Sequence, residues 1–381
     1  MASVTVLHGE LVLQEGIVPE GEVIIDGDHI VEVNLTPTKR PTIHWQDGWI
    51  FPGLVDTHIH GIGGYDVMDG TPEALSSIDA TLAQVGCTRY LATTMSHDQV
   101  TLTRVLESLH QFRERDPYSG LLGVHLEGPF IHPDRRGAQP LSVLRRPSLL
   151  ELETYYRRFG SLIRRITLAP ELPDADALIH FGLHSAIYPS LGHSNATFDE
   201  AISAFDLGVQ HVTHLFNAMT GLNHRDPGLA GAALFRPQVV VELIADGIHL
   251  HPAIVKMVAQ MKGPRRVMLV TDAMRASMMR DGRYDLGGQD IQVSHGVART
   301  VDGHLAGSTL TLMRAVFLYQ EFTGVELFEA ILAASLVPAR SFGYPNLGAL
   351  APGFLADVLL VDRNGSNCMT WRGGQIIFDG R

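Results

Sequence analysis

The chain has 381 residues, 45% of them hydrophobic and 18% charged, which is typical of an ordered globular protein and excludes a disordered one. Its formal net charge of −12 argues against nucleic acid as a partner, because duplex affinity comes largely from Lys and Arg that neutralise phosphates. Two cysteines, Cys87 and Cys368, are too few for a disulfide scaffold and indicate reduced thiols in a cytoplasmic protein. We expect no signal peptide and no membrane association, since no apolar run approaches the ~20 residues of a membrane helix.

Both ends of the chain are predicted to form short strands joined by turns. Residues 1–47 include VTVLHGELVLQ and EGEVIIDGDHIVEV, and residues 347–381 include FLADVLLVD and QIIFDG. Alternating apolar and polar positions with Gly-Asp turn signals are typical of antiparallel strands. Neither end has enough strands to bury a face alone, so we predict that both termini pair into one small, discontinuous β-sandwich domain.

Residues 48–346 alternate between apolar, strand-like runs and helical patterns. The runs are, in chain order, WIFPGLVDTHIH, RYLATTM, LLGVHLEG, RITLAPEL, AIYPSLGH, HVTHLFN, VVVELIADGIH and RRVMLVTDA. An open, doubly wound sheet would show the same alternation. The count of eight, with His, Glu or Asp at nearly every strand end, favours an α/β fold of the TIM-like (β/α)8 barrel type as the catalytic domain.

The first run ends in His58 and His60, which lie two residues apart and therefore project from the same face of a strand. Two imidazoles placed in this way can reach one metal ion. Two hydrogen-bonded histidines at a strand end would give the same pattern. Asp56 before the pair and the glycines after it favour a metal site, since a flexible loop then opens directly off the strand.

Three later runs end in Glu127, His193 and His214. Three protein ligands with an open position for water are the pattern of a catalytic metal site rather than a structural one. Glu127, which precedes Gly-Pro, could instead stabilise a turn or a helix end. His125, two residues before Glu127 on the same face, could be a ligand instead, although we predict that it packs beside the site. We also predict that His211 has a structural role.

The last run ends in Asp272. A carboxylate beside an acidified water can take its proton and deliver it to a leaving amine. Asp272 could also be a metal ligand, and the two roles are compatible. His249, near the end of the seventh run, could polarise a carbonyl group or bind a sugar hydroxyl, although a packed histidine is the more common arrangement.

Two loops carry groups that suit an anion. The stretch NAMTGLNHRDPGLAGA contains Asn217, Ala218 and Arg225, and a guanidinium together with backbone N–H groups is how proteins hold phosphate. In HLAGSTLTL, Gly307 precedes a predicted helix start, whose amides could hold an anion or be capped by a hydroxyl. The sequence has neither the glycine-rich loops of nucleotide-binding proteins nor a GxSxG nucleophile motif.

The order of these motifs resembles the amidohydrolase superfamily, and within it the N-acetylglucosamine-6-phosphate deacetylases. The resemblance rests on PGLVDTHIHG, GVHLEGPF, LGHSNA, THLFNAM, RDPGLAGAAL, ADGIH, LVTDAM, LAGS and LAPGFLADVLLVD, which span almost the whole chain. It implies a metal-containing barrel with a small β-domain from both termini, usually as a homodimer. It also implies that the partner is a small amino-sugar phosphate, N-acetylglucosamine 6-phosphate, hydrolysed to glucosamine 6-phosphate and acetate.

The resemblance also assigns roles to individual residues. It implies that Glu127, His193 and His214 hold a divalent metal ion, for which Zn, Fe and Mn are all suitable, and that Asp272 is the general base and acid. Substrate-binding residues would be Ala138, Gln139, Asn217, Ala218, Arg225, His249, Leu305, Ala306 and Gly307. In this assignment Arg225 could serve the site of the neighbouring subunit.

Two departures from the family pattern concern the chemistry. Some members lack H-x-H and hold one ion, whereas His58 and His60 leave room for a second ion bridged by Glu127, so we expect one or two ions per subunit. The fourth run offers no Lys for a carbamylated bridge. Ala138 and Gln139 stand where some members have Thr and His, and the Gln amide can donate a hydrogen bond but cannot become cationic.

Three other functions remain open. The first is the same reaction on N-acetylgalactosamine 6-phosphate, which differs in one hydroxyl that no motif reads. The second is another amidohydrolase-superfamily amide hydrolase, or a deaminase. The third is an inactive metal-binding or sugar-sensing protein, against which Asp272 argues because a binding module needs no general base.

Overall fold

In the computed structural model, which describes residues 4–381, eight parallel strands form one sheet in the order of the chain. They are Leu54–Ile59, Cys87–Thr94, Leu121–Glu127, Ile163–Leu168, Tyr188–Leu191, His211–Val212, Val240–Leu243 and Val267–Leu269, numbered here barrel strands 1 to 8. Each overlaps one of the eight predicted runs. The predicted number and order of strands are therefore confirmed.

The sheet closes on itself through the segment that follows barrel strand 8. The backbone N–H of Asp272 donates to the carbonyl of His58 at 2.9 Å, and the N–H of His60 donates to the carbonyl of Ala273 at 2.9 Å. Ile59 and Ala273 form a parallel bridge between barrel strand 1 and this segment. This closure confirms the barrel and brings all eight carboxyl ends to one mouth.

Helices connect the barrel strands and pack on the outside of the sheet. The α-helices are Pro72–Gln84, Gln99–Arg115, Leu149–Phe159, Ala175–His184, Phe198–Asp206, Gly228–Phe235, Pro252–Lys262, Leu312–Thr323, Leu327–Ala334 and Leu336–Ser341, with 3-10 turns at Val67–Asp69, Pro133–Arg135, Leu141–Val143 and Gly160–Leu162. Several begin at a side chain that caps free N–H groups, as where the Thr71 hydroxyl accepts from Ala74 N at 3.2 Å. Every residue of the first barrel strand is buried, as expected for a strand covered on both faces.

Strands from both termini form a separate domain, as predicted. They are Thr5–Leu13, Gly16–Asp26, His29–Asn34, Ile43–Pro52, Val358–Asp362, Asn367–Arg372 and Gln375–Asp379, and residues 1–3 of the predicted segment 1–47 lie outside the described residues. The strands belong to one seven-stranded sheet, joined where Val358–Asp362 pairs antiparallel with Ile43–Pro52. Leu11, Ile25 and Trp371 are part of its core. Because Ile43–Pro52 leads almost directly into barrel strand 1, this domain fixes the start of the barrel.

A further antiparallel sheet follows barrel strand 8 and was not predicted. Its strands are Gly282–Leu286, Gln289–Ser294 and Val297–Thr300, and Leu286 packs with Met95 and Met274 near the mouth of the barrel. Its first turn, Gly287-Gly288, has φ values of 56° and 80°, which suits a tight hairpin. The Gly-Gly pair between alternating residues was the available sequence signal.

None of the helices in the described part of the chain combines the length and the apolar character that crossing a lipid bilayer requires.

We expect Glu22→Gln to destabilise the terminal β-domain by about 1–3 kcal/mol at neutral pH, because buried donors would lose their acceptor. The fully buried Glu22 carboxylate accepts from Asn34 Nδ2 at 2.8 Å and from the backbone N–H of Lys39 at 2.8 Å, and it lies 2.9 Å from His8 Nε2. Burial favours the neutral acid, but these hydrogen bonds outweigh it and lower the pKa of Glu22 from 4.5 to about 2.

The pH dependence of the same variant has a defined sign. A lowered pKa in the folded state stabilises the protein above pH 4.5, and this stabilisation is lost as the pH falls towards about 2. In urea unfolding experiments between these pH values, the free energy of unfolding should therefore fall less with decreasing pH for Glu22→Gln than for the wild type. Glu20→Gln, an exposed position on the same strand, serves as the control. Equal pH profiles for the wild type and Glu22→Gln would contradict the prediction.

Candidate metal centre

The predicted metal and acid residues all lie at the carboxyl mouth of the barrel. His58 belongs to barrel strand 1 and Glu127 ends barrel strand 3, whereas the other four, His60, His193, His214 and Asp272, follow strand ends. Three of these residues have left-handed backbone conformations, with φ values of 48° at His193, 29° at His214 and 49° at Asp272. Such conformations cost about 1–3 kcal/mol each in non-glycine residues and cluster at functional sites. The surrounding barrel therefore holds these three side chains against a local backbone preference.

Glu127, His193 and His214 form what we call the first ligand group. Glu127 Oε1 lies 3.1 Å from Nε2 of His193 and 3.1 Å from Nε2 of His214, and the two imidazole nitrogens are 3.0 Å apart. All three residues are buried. Three ligand atoms converging in this way match the protein ligands of a catalytic metal ion that keeps one position open.

His58, His60 and Asp272 form the second ligand group, which lies next to the first. Asp272 Oδ1 is 3.4 Å from Nε2 of His58 and 3.2 Å from Nε2 of His60. Glu127 lies between the groups, with Oε1 3.3 Å from His58 Nε2 and Oε2 3.3 Å from His60 Nε2. From this position one carboxylate can reach ions held by both groups.

The donor atoms suit divalent cations. His58 Nε2 is buried and has no hydrogen-bond partner among the described residues, although it points at two carboxylates. A buried polar atom without a partner costs free energy, and a cation between it and the carboxylates would remove that cost. Imidazole nitrogens with carboxylate oxygens are a ligand set that Zn, Fe and Mn accept. The residues present therefore fit the implied metal.

In the metal-free protein the same contacts favour protonated imidazoles. Burial disfavours the charged form of His60, but hydrogen bonds to Asp272 and Glu127 outweigh it and raise the pKa of His60 from 6.5 to about 9. The pKa of His58 is also raised, because the charges of Glu127 and Asp272 outweigh its burial. Protons and metal ions therefore compete for the second ligand group.

We predict that metal binding at pH 7 releases about one or two protons per subunit, since a ligating imidazole must be neutral. Affinity for Mn²⁺ should rise with pH, because protonation of His60 is lost only as the pH approaches about 9. Calorimetric titration of the metal-free protein with Mn²⁺ in two buffers of different ionisation enthalpy measures the release. His304→Asn, an exposed position outside both ligand groups, should release the same number as the wild type. Heats that do not depend on the buffer would contradict the prediction.

A layer of buried charges lies beneath the ligand groups, and two of its members, Arg165 and Glu242, were not predicted from the sequence to belong to the site. Glu242 Oε2 is 3.3 Å from His58 Nδ1 and accepts from the backbone N–H of His214 at 3.0 Å, and the Glu242 carboxylate pairs with Arg165. Burial favours neutral Glu242, but Arg165 and His58 outweigh it and lower the pKa of Glu242 to about 2. Asp56 is also buried and accepts from the Thr271 hydroxyl at 2.6 Å. A charged residue inside an apolar strand run was the only sequence signal for Arg165 and Glu242.

Two histidines lie where they were predicted. His125 is buried beside the site, 2.7 Å from the Thr167 hydroxyl and with its ring 4.7 Å from that of His58. His211 faces away from the ligand groups and stacks on Phe342 with a ring separation of 5.0 Å. Neither histidine belongs to a ligand group.

The ligand groups open into a cavity of about 690 Å³. Its lining includes seven of the nine predicted substrate-binding residues: Ala138, Gln139, Asn217, Ala218, His249, Leu305 and Gly307. Ala306 is buried behind the lining, and Arg225 lies on an exposed loop outside it, 3.1 Å from the His224 ring nitrogen. Three further lining residues, Arg135, Arg136 and His304, were not predicted from the sequence. The ligand groups thus lie at the floor of the cavity, and basic side chains line part of its wall.

Gln139 is held by two hydrogen bonds at the edge of the first ligand group. Its side-chain N–H donates to Glu127 Oε2 at 2.7 Å, and its carbonyl accepts from the backbone N–H of Ser96 at 2.7 Å. The amide therefore fixes the Glu127 carboxylate. His249 is fixed in a similar way, with Nδ1 2.7 Å from Asp246 Oδ2, which leaves its other ring nitrogen for a ligand.

Known proteins are similar to this chain over most of its length. The model of the amidohydrolase family matches residues 49–377. The N-acetylglucosamine-6-phosphate deacetylase of Vibrio furnissii is 38% identical over 338 residues, covering 87% of this chain and 83% of that protein. The N-acetylgalactosamine-6-phosphate deacetylase of Escherichia coli O157:H7 is 39% identical over 327 residues, covering 85% and 86%.

A solved structure is similar over nearly the whole chain. It is a mutant of the N-acetyl-D-glucosamine-6-phosphate deacetylase of Mycobacterium smegmatis in complex with N-acetyl-D-glucosamine-6-phosphate. The TM-score is 0.95 with 32% sequence identity, and the match covers 99% of this chain and 100% of that chain. The similarity therefore includes the barrel, the terminal β-domain and the mouth that carries the ligand groups.

Proposed function

The chain belongs to the amidohydrolase family, and we propose that within it this protein hydrolyses N-acetylglucosamine 6-phosphate to glucosamine 6-phosphate and acetate. The observation that carries the proposal is the pair of adjoining ligand groups with Asp272 at their edge, open to a cavity of about 690 Å³. Relatives of both epimer specificities act on amino-sugar phosphates by name, and they match more than four fifths of the chain.

Hydrolysis of the acetamide needs an activated water and a proton for the departing nitrogen. A divalent ion held by Glu127, His193 and His214 would supply a Lewis acid that acidifies water and polarises a carbonyl oxygen. Asp272 lines the cavity, and its carboxylate accepts the proton of the water as the new C–O bond forms. It then delivers that proton to the nitrogen as the C–N bond breaks.

The charge state of Asp272 suits the first of these steps. Burial favours the neutral acid, but the neighbouring His58 and His60 outweigh it and lower the pKa of Asp272. In the metal-free protein the carboxylate is therefore ionised at neutral pH, which is the form that can accept a proton. Gln139 contributes by holding Glu127, because its amide is already committed to Glu127 and Ser96.

Residues farther up the cavity would bind the sugar phosphate. We propose that His249, oriented by Asp246, contacts the sugar and that the loop with Asn217 and Ala218 holds its polar end. Arg225 lies outside the cavity of its own chain, which supports its predicted role in the site of a neighbouring subunit. We therefore propose that the protein is a homodimer. We also propose that it acts in the cytoplasm and that each subunit holds one or two Zn, Fe or Mn ions.

The direct test is acetate release by protein of measured metal content. N-acetylglucosamine 6-phosphate should be hydrolysed, and unphosphorylated N-acetylglucosamine should be a much poorer substrate. No turnover of either compound at full metal occupancy would reject the proposed reaction.

The galacto epimer is the second candidate substrate, because a relative with that specificity is 39% identical to this chain. Parallel kcat/KM values for the two 6-phosphates separate the candidates. A higher value for N-acetylgalactosamine 6-phosphate would transfer the assignment to the epimer without changing the proposed chemistry.

A further inference from the structure

We infer that Glu242 is a positioning residue which, with Arg165, allows the second ligand group to bind its own metal ion. Glu242 lies on barrel strand 7, and its side chain is completely buried beneath that group. It does not line the cavity and would not touch the substrate. The inference rests on the proposed metal-dependent function and extends it to a residue that acts through His58.

The contact with Glu242 determines the tautomer of His58. A neutral imidazole carries one N–H, and a carboxylate can only accept a hydrogen bond. Glu242 Oε2 lies 3.3 Å from His58 Nδ1, so that nitrogen carries the proton. Nε2 then presents its lone pair, and it points at Glu127 and Asp272 with no hydrogen-bond partner among the described residues. A carboxylate behind a ligating histidine is the usual way in which proteins fix this orientation.

Arg165 holds Glu242 in place. Arg165 is fully buried and pairs with Glu242 through Nη1, while its Nη2 donates to the hydroxyls of Ser190 and Thr213 at 2.9 Å each. Arg165 thus joins barrel strand 4 to strands 5, 6 and 7 inside the barrel. Because both terminal nitrogens of Arg165 are engaged in these contacts, Glu242 has little freedom to turn away from His58.

The first ligand group depends less on the Glu242–Arg165 pair than the second group does. The ring of His193 is oriented by a different acceptor, the backbone carbonyl of Arg135, at 2.8 Å from Nδ1. Glu242 touches that group only through the backbone N–H of His214. Removal of Glu242 should therefore weaken the ion of the second ligand group selectively.

The main test is the double variant Glu242→Leu/Arg165→Met, which removes the acceptor without leaving a buried charge unpaired. Replacement of a buried ion pair by apolar side chains of similar size is often neutral for stability. Metal-free protein is titrated with Zn²⁺, and bound zinc is quantified after equilibrium dialysis. We expect two Zn²⁺ ions per wild-type subunit and, in the variant, a Kd for one of them raised by about 10–100-fold.

A matched control removes another buried ion pair outside the metal centre. Arg89 Nε lies 2.7 Å from Asp357 Oδ2, between the barrel and the terminal β-domain. Arg89→Met/Asp357→Leu should keep both zinc ions. Glu242→Asp, which keeps a carboxylate acceptor, should retain part of the zinc affinity that the double variant loses. A purely structural role of Glu242 would not require this result.

The outcomes that overturn the inference are specific. They are a wild type that binds one zinc ion, a Glu242→Leu/Arg165→Met variant with two wild-type affinities, and equal weakening of both ions. If the double variant does not fold, nitrogen-15 NMR of the zinc-loaded wild type decides: a proton on His58 Nδ1 supports the inference and a proton on Nε2 overturns it. Zinc is counted without substrate, so a failed deacetylase assay would not be confused with a failed metal result.

Discussion

Asp272→Asn is expected to lower kcat by about 10²–10⁴-fold, the range that a positioned general acid–base group contributes. The amide has nearly the same shape as the carboxylate but cannot accept the proton of the attacking water. Because the variant keeps the cavity wall, KM should change far less than kcat. Steady-state acetate release from N-acetylglucosamine 6-phosphate measures both constants.

The metal content of Asp272→Asn must be measured alongside its activity. Asp272 Oδ1 lies 3.2 Å from His60 Nε2, so the substitution also touches the second ligand group. If the low kcat persists in protein that retains the zinc of the first ligand group, the defect lies in proton transfer. Near-normal turnover would show that another group moves the proton.

Glu127→Gln is expected to reduce kcat by on the order of 10³-fold, equivalent to about 4 kcal/mol of lost transition-state stabilisation. Glu127 is within 3.3 Å of a nitrogen in both ligand groups, and its replacement removes one negative charge from between them. The variant should also bind less zinc per subunit. Activity and zinc content should therefore fall together, whereas Asp272→Asn should lose activity even in protein that retains the zinc of the first ligand group.

Glu171→Gln is a suitable control for this substitution. Glu171 accepts from the Ser194 hydroxyl at 2.7 Å, directly beside His193, but it belongs to neither ligand group. Its replacement should leave the zinc content at the wild-type value. A Glu127→Gln protein with full zinc content and wild-type kcat would contradict the assignment of Glu127 as the shared ligand.

The convergence of the proposed metal ligands could be predicted because of where these residues stand in the sequence. His58, Glu127, His193 and His214 each come at the end of an apolar run, and such runs become barrel strands that end at a common mouth. The pattern is local, so each of these residues can be recognised from its own segment alone. The distances between ligands from different strands could not be predicted, because they depend on closure of the barrel.

Arg165 and Glu242 illustrate the opposite case. They are separated by 77 residues and lie on different strands, where each alone looks like a charge misplaced in an apolar run. Only the closed barrel brings them together and makes their burial tolerable, because each neutralises the other. The same holds for Gln139, whose contact with Glu127 depends on the path of a loop.

The sequence by itself determined the eight strands, the terminal β-domain, the residues proposed as metal ligands and the family, because hydrophobic periodicity and strand-end motifs are local properties. The tertiary structure decided how the ligands divide into two adjoining groups, and it placed Glu127 between them. It also decided that Glu242 stands behind His58 and that Arg225 lies outside its own cavity. These relations join residues far apart in the chain, and their geometry is fixed only when the first and last strands meet.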